Sequence, residues 1–393
     1  MTTHPVLSPL QLGELTLRNR VVKTATYESM TAGGQVTDRL IDHHATLARH
    51  GVALTTVAYG AVHPDGRTFD DQLLIDDKTV PGLRRLADAV HVEGGAVSLQ
   101  LAHCGGFCKR PASDGRAPGG PSAGWNPYGI MHGLPRIRPL EEDELQGIVD
   151  SFASAAVRAQ QAGFDAVEVH CGHGYLLSQF LSPIFNHRKD AWGGSLAGRA
   201  ALSVEVVRAV RSAVGPGFVV LVKVNTSDGV ASGLELAESI EATRLLVSAG
   251  ATAVVPSGGL VQRSAFFLMR GDLPLKAMIA AESHPMQKWA LRLFGPFLVR
   301  QVPYTPTFFF DAALAMKSAI SAPVGLLGGV EGDHTIRRAL SAGFDFVVMG
   351  RALLADPDLI DRLAAGEAAE TRCTHCNACV GEVGAVGVRC VLE

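Results

Sequence analysis

The sequence has no excess of charge of either sign. Its 393 residues carry 35 Lys and Arg against 38 Asp and Glu, a formal net charge of −3. No electrostatic footprint for nucleic acid follows from that balance. The sequence also lacks any uninterrupted apolar run of the ~20 residues that a bilayer span requires. Met1 to Leu10 shows no basic region followed by an apolar stretch, so no signal peptide is expected and the cytoplasm is the expected location. Cysteine is scarce at 7 residues, too few and too unevenly placed for a secreted disulfide framework. Charged residues make up only 19% and hydrophobic ones 47%, which argues against disorder and for a large buried core. The 43 glycines are spread along the chain, as many tight turns would require.

What is present is an alternation of short apolar runs with longer helical patterns. The runs are Val21-Val22 leading into Thr24-Ala25, Ala53 to Val57, Ala96 to Leu101, Ala166 to Val169, Val219 to Val224, Ala253 to Pro256, Val324 to Leu327 and Phe346 to Met349. Near-continuous apolar runs suit parallel strands buried on both faces. Leu145 to Ala162 is the clearest helical pattern, and Gly163 follows it as a helix-ending residue. Ala249-Gly250 and Ala342-Gly343 repeat that ending just before a strand. Eight such units predict an α/β fold, a closed (β/α)8 TIM barrel. A doubly wound open sheet is the competing topology. It would carry a glycine-rich phosphate turn after the first strand, and Thr24 to Met30 has none. Val6 to Leu17 reads as an N-terminal hairpin covering the barrel floor. An insertion after strand six, about 260–310, is too long for an ordinary loop. It contains a helix expected around Leu275 to Leu293, then a proline-broken apolar stretch from Phe294 to Phe310. The barrel is assigned to 1–365 and a Cys-rich C-terminal tail to 366–393.

Functional groups of such a barrel sit at the C-terminal ends of its strands. This selects Gln100 to His103 after strand three, and His170, His173 and Tyr175 after strand four. It also selects Lys223 and Asn225 on strand five, and Gly328-Gly329 and Gly350-Arg351 after strands seven and eight. Glycine amides can approach phosphate oxygens closely, and Arg351 can add a charge-assisted bond, so a phosphate-bearing ligand is expected there. His170 and His173 have no third ligand nearby for a metal. Two imidazoles can instead donate to one carbonyl oxygen, and Tyr175 can act as a proton donor beside it. On spacing alone, ordinary strand-end polar residues remain an equal alternative.

The run Gly163 to His170, then Gly172-His173-Gly174-Tyr175-Leu176-Leu177, Phe180-Leu181-Ser182-Pro183, Asn186, Arg188, Asp190 and Trp192 to Ser195 resembles the signature of the Old Yellow Enzyme family. These are NADH:flavin oxidoreductases and FMN-dependent ene-reductases. Asn19-Arg20, Gln100 to His103 and Met349-Gly350-Arg351 extend the similarity across nearly all of Pro9 to Leu359. The resemblance implies FMN in the barrel mouth, with NADH or NADPH as reductant. It implies that Thr24, Ala25 and Gly60 line the flavin and that Gln100 bonds its pyrimidine edge. Lys223 falls where the family usually has arginine, near flavin N1 and O2. Gly328, Gly329, Gly350 and Arg351 would take the phosphate. His170 and His173 would grip the carbonyl of a small-molecule unsaturated substrate, and Tyr175 would protonate its α-carbon. A homo-oligomer is expected. Tyr27-Glu28-Ser29 departs from the small or sulfur-containing residue often found there. Gly105-Gly106 departs from an Ala-Gly-Arg type of stretch, and Cys104 and Cys108 beside it read as casual cysteines.

Cys373, Cys376, Cys379 and Cys390 form a C-x2-C-x2-C-x10-C pattern. Four soft ligands at this spacing suit a 4Fe-4S cluster, or a zinc ion; metal-free thiols are the third option. The pattern resembles the cluster motif of 2,4-dienoyl-CoA reductase and trimethylamine dehydrogenase. Those chains continue into further nucleotide-binding domains, so a cluster in this sequence is expected to lack its usual intramolecular partner. Three functions compete: ene-reduction, an amine dehydrogenase or demethylase passing electrons through the cluster, and a non-catalytic flavin redox-sensing module.

Overall fold

The expected apolar runs become eight parallel strands in a computed structural model that describes residues 4–282, 285–298, 300–383 and 387–392. They are β1 Val21–Lys23, β2 Leu54–Ala61, β3 Ala96–Ala102, β4 Ala166–Cys171, β5 Val219–Asn225, β6 Ala253–Ser257, β7 Gly325–Leu327 and β8 Phe346–Met349. Their hydrogen-bonded order is β6-β5-β4-β3-β2-β1-β8-β7. The remaining gap, between β6 and β7, is bridged at Val254 and Val324, with Val254 N–H donating to Pro323 O at 2.9 Å. This is the nearly closed TIM barrel that the alternation predicts.

Helices return the chain between strands, as right-handed crossovers require. The clearest of them, Glu142–Gln161, starts in a capping box in which Glu141 and Glu144 satisfy each other's backbone N–H groups. It stops at Gly163, whose φ of +88° is the left-handed conformation that glycine adopts without a Cβ penalty. Gly250 and Gly343 end their helices in the same way.

Inside the barrel, side chains form layers because residues two apart on a strand share a face. The bottom layer is apolar and includes Leu54, Ala96, Ala166, Leu221, Ala253 and Phe346. Leu10, Leu12 and Leu17 of the N-terminal hairpin close it from below, as expected. Above that floor come Thr56, Ser98, Glu168 and Lys223, all buried. Gln100 and His170 stand one step higher and face the mouth.

The insertion differs from expectation. Among the described residues, the single helix expected over Leu275 to Leu293 is two, Leu275–Ala281 and Pro285–Leu298. Proline has no N–H to continue a helical ladder from the preceding turn, so a new helix starts at Pro285. Residues 283–284, between the two, and 299, within the apolar stretch, lie outside the described residues. Met286, Trp289, Leu293 and Phe294 on the second helix are exposed. No helix among the described residues is long and apolar enough to cross a membrane.

Candidate active site

Tyr175 stands at the centre of the mouth because two backbone features aim it there. His173 adopts φ +61° and Gly174 φ +81°, turning the chain sharply between β4 and the helix Leu176–Leu181. A left-handed conformation is costly for histidine. Here it is fixed by the His173 N–H donating to Asn225 Oδ1 at 3.0 Å. Asn225 is itself held, donating to Asp228 Oδ1 and Gly259 O, each at 3.0 Å. Gly174 admits no side chain: a Cβ would stand 2.0 Å from Gln262 Oε1.

His170, His173 and Tyr175 then meet. The imidazoles are 4.9 Å apart, centre to centre, at 82°, and the His170 ring is 4.7 Å from that of Tyr175. All three are buried and line one cavity. Burial drives the His173 imidazole down to about 3, with the Lys223 charge adding to this, and holds His170 well below its ordinary value, with its neighbour His173 and then Lys223 adding to this. Both are therefore neutral donors. The sequence did not single out Ser257, at the end of β6, whose Oγ lies 2.7 Å from His173 Nε2 and fixes that ring.

Burial also pushes the Tyr175 phenol well above its ordinary value. Its hydroxyl accepts a hydrogen bond from that of Tyr59, whose oxygen lies 3.2 Å from Thr68 Oγ1. Tyr59 lines the cavity, whereas its neighbour Gly60 faces Ile75, where a Cβ would come within 2.5 Å. The wall is completed by Tyr27, Phe69, Phe107 and Tyr128. Tyr27 packs against Tyr59 and Phe69, each at 5.3 Å. These aromatics lie in loops with no periodic signal; only Tyr59, at a strand end, was open to the strand-end rule. Cys104 and Cys108 lie behind this wall, both donating to Arg67 O, at 3.5 and 3.2 Å.

At the other end of the same cavity stand Thr24, Ala25, Gly328, Gly329, Gly350 and Arg351. The cavity measures about 420 Å³. Gly328 and Gly329 have φ of +100° and +78°. Cβ atoms there would meet Phe309 at 2.6 Å and Thr307 N at 2.7 Å. The insertion's last segment therefore demands glycine as strongly as a ligand would. Arg351 donates to Arg270 O at 2.9 Å and to Asn377 Oδ1 of the tail. Gln100 also borders the cavity, while Lys223 lies just beneath it, donating to Thr24 Oγ1 at 3.0 Å.

Residues 5–261 match the model of the NADH:flavin oxidoreductase / NADH oxidase family. The chain belongs to that family. It is 41% identical, over all of its own length and 97% of the relative's, to a 4,4'-dithiodibutanoate disulfide reductase of Rhodococcus erythropolis. It is 30% identical to a multifunctional alkene reductase/demethylase of Caballeronia cordobensis, covering 94% of this chain but only 50% of that one. The chain therefore spans nearly the whole of one relative and half of the other. Among solved structures, morphinone reductase in complex with tetrahydroNAD superposes with a TM-score of 0.70 at 25% identity, over 93% of this chain and 92% of that one.

Family membership implies FMN as cofactor and NADH or NADPH as reductant. The residues fit an FMN: one end of the cavity is polar and glycine-lined, the other aromatic, and Gln100 borders it with Lys223 just beneath, bonded to the lining residue Thr24.

The β7–β8 end of the cavity adjoins the tail. Cys373 and Cys379 line the main cavity, and all four tail cysteines line a second, small one together with Arg351 and Asn377. Burial raises the Cys379 thiol to about 11 and the Cys373 thiol above its ordinary value. Among the described residues no three His, Cys, Asp or Glu converge as a ligand set for a single ion. A 4Fe-4S cluster would instead take one thiolate at each of its four irons, so its ligands would surround a cavity.

Proposed function

We propose that this protein is an NAD(P)H-dependent flavoenzyme that reduces the activated C=C bond of α,β-unsaturated carbonyl compounds. The observation that carries the reading is the convergence of His170, His173 and Tyr175 on one aromatic-walled cavity. FMN, which Thr24, Ala25, Gln100, Gly328, Gly329, Gly350 and Arg351 would hold, would supply hydride transfer between NADH or NADPH and the substrate's β-carbon. His170 and His173 donate N–H bonds to the substrate carbonyl oxygen and stabilise the negative charge that develops there. Their lowered pKa values keep them neutral throughout the physiological range. His173 offers its Nδ1–H if the Ser257 hydroxyl donates to Nε2. Tyr175 holds its proton until the α-carbon needs it, because burial disfavours the phenolate. Tyr59, hydrogen-bonded to it, supports that hydroxyl. The aromatic wall excludes water and orients a flat acceptor.

Reduction of an organic disulfide is the second reading, favoured by the full-length similarity to a disulfide reductase. There one NAD(P)H and one proton convert R–S–S–R to two thiols, and no carbon requires protonation. Tyr175→Phe separates the two readings. Ene-reduction of cyclohexenone is expected to fall ~10²–10⁴-fold, with NAD(P)H still bleaching the yellow protein. Disulfide turnover is expected to change little. Undiminished cyclohexenone turnover in Tyr175→Phe would remove the role given to Tyr175.

We further propose that residues 1–365 are the catalytic barrel and that 366–393 hold a 4Fe-4S cluster on Cys373, Cys376, Cys379 and Cys390. Four cysteines around one cavity, beside the cationic Arg351, support this reading. Anaerobically prepared protein is expected to contain iron and labile sulfide in equal amounts. Zinc, or no metal, would overturn the cluster.

A further inference from the structure

Four charged side chains form two buried pairs, one on the outer face of β1 beside His44 and one inside the barrel. Lys23 is bonded to Glu28, and Lys223 to Glu168 at 2.8 Å. The exposed fraction of each residue is 3% or less. Two charges withdrawn from water this far are costly unless each is matched and further hydrogen-bonded.

The second pair is placed by strand register. Gln100 on β3 lies directly opposite Glu168 on β4. On the other side, β5 pairs Leu221 with Glu168 and Lys223 with His170. Lys223 is thus a diagonal neighbour of Glu168 on the same inward face. A single oxygen, Glu168 Oε1, accepts from Gln100 Nε2 at 2.7 Å and from Lys223 Nζ at 2.8 Å. Lys223 also donates to Thr24 Oγ1.

A carboxylate only accepts. Gln100 must therefore turn its NH2 group toward Glu168, which directs its amide oxygen away. The same carboxylate opposes the Lys223 charge beneath the cavity, which Lys223 meets through the lining residue Thr24. Glu168 does not itself line the cavity.

We propose that Glu168 is the positioning residue of the flavin site. It fixes the Gln100 amide so that an acceptor faces the pyrimidine N3–H, and it sets how much of the Lys223 charge reaches the flavin. The inference rests on the reading that Gln100 and Lys223 border the pyrimidine edge. Reduction adds negative charge to that edge, so a less compensated Lys223 makes reduction easier.

The test is the FMN midpoint potential of the holoenzyme, measured by dye-equilibrated titration. Glu168→Gln is expected to shift the potential to a more positive value. In a Lys223→Met background the same substitution is expected to give no such rise. Glu168→Asp keeps the charge but shortens the reach to both partners. It should give a smaller positive shift, and it serves if Glu168→Gln loses flavin. A native potential in Glu168→Asp and in flavin-loaded Glu168→Gln would overturn the proposal. So would an equal shift with and without Lys223. Lys223→Met alone is expected to lower the potential; a native value with FMN bound would instead fail the underlying placement of Lys223 at the flavin.

Discussion

The two ends of the cavity are built in opposite ways. At the mouth of β3, β4 and β5, the cavity is built of side chains rooted in strands or within a few residues of them. Those side chains brace one another: Glu168 holds Gln100 and Lys223, Asn225 holds the His173 backbone, and Ser257 holds its ring. At the β7–β8 end, the site is made of glycine backbone, and its walls come from two remote segments. Phe308 and Phe309 of the insertion press on Gly328. His375 of the tail stacks on Tyr304 at 3.5 Å and is hydrogen-bonded to Glu331. A strand-rooted site is rigid before any ligand arrives, which suits positioning of reacting atoms. A site closed by a tail depends on whatever fastens that tail.

The largest difference between the ends should appear with pH. At the mouth, burial takes His103 and His173 down to about 3 and His170 well below its ordinary value. Folded values below the unfolded ~6.5 favour the neutral form in the folded state. Stability is then fully present above pH ~6.5. It is lost as pH falls toward the folded values, by about 1.4 kcal/mol per pH unit for each histidine. Melting followed by circular dichroism should show a plateau above pH 7 and a steep fall by pH 5. An unchanged melting temperature at pH 5 would contradict the neutral, buried state of these rings.

Next in size is Glu28→Ala. Glu28 bonds Lys23, accepts from the Ala58 N–H at 3.0 Å and lies 3.7 Å from His44 Nε2. Its loss leaves Lys23 charged and unpaired in the buried layer between β1 and the helix Asp38–Arg49, a destabilisation of ~3–5 kcal/mol. Glu28→Gln combined with Lys23→Met should recover most of it, as measured by urea unfolding. A single variant as stable as the native protein would show that Lys23 reaches solvent.

The same contrast explains what was legible in the sequence. Strands and the mouth residues were, because strand-end position and period-2 alternation determine where His170, Gln100 and Lys223 point. Glu28 and Lys23 were not recognised as a pair: they are five residues apart in an irregular segment, and only the turn after β1 brings them together. The aromatic wall was equally hidden, since Phe69, Phe107 and Tyr128 come from three loops whose paths no local pattern encodes. The insertion was visible as an excess of length, while its division at Pro285 depended on reading one proline as a start.

The smallest effect tests the fastening of the tail. Asn377 is 1% exposed. Its amide donates to Met269 O at 2.7 Å and Asp272 O at 3.0 Å and accepts from Arg351. It therefore ties the cysteine segment to both the insertion and β8. Its φ is +54°, so Asn377→Gly removes the hydrogen bonds while keeping an unstrained backbone, which alanine would not. Leaving those buried carbonyls unmatched costs ~1–3 kcal/mol. Because the braced mouth does not depend on the tail, the loss should appear as faster proteolysis within 371–392, with barrel melting little changed. A coupled drop in barrel melting would mean that the two ends are one cooperative unit. An unaltered cleavage rate would shift the fastening to the Val388 N–H, which donates to Glu28 O at 2.8 Å, and so to the same buried turn that carries the Lys23 ion pair.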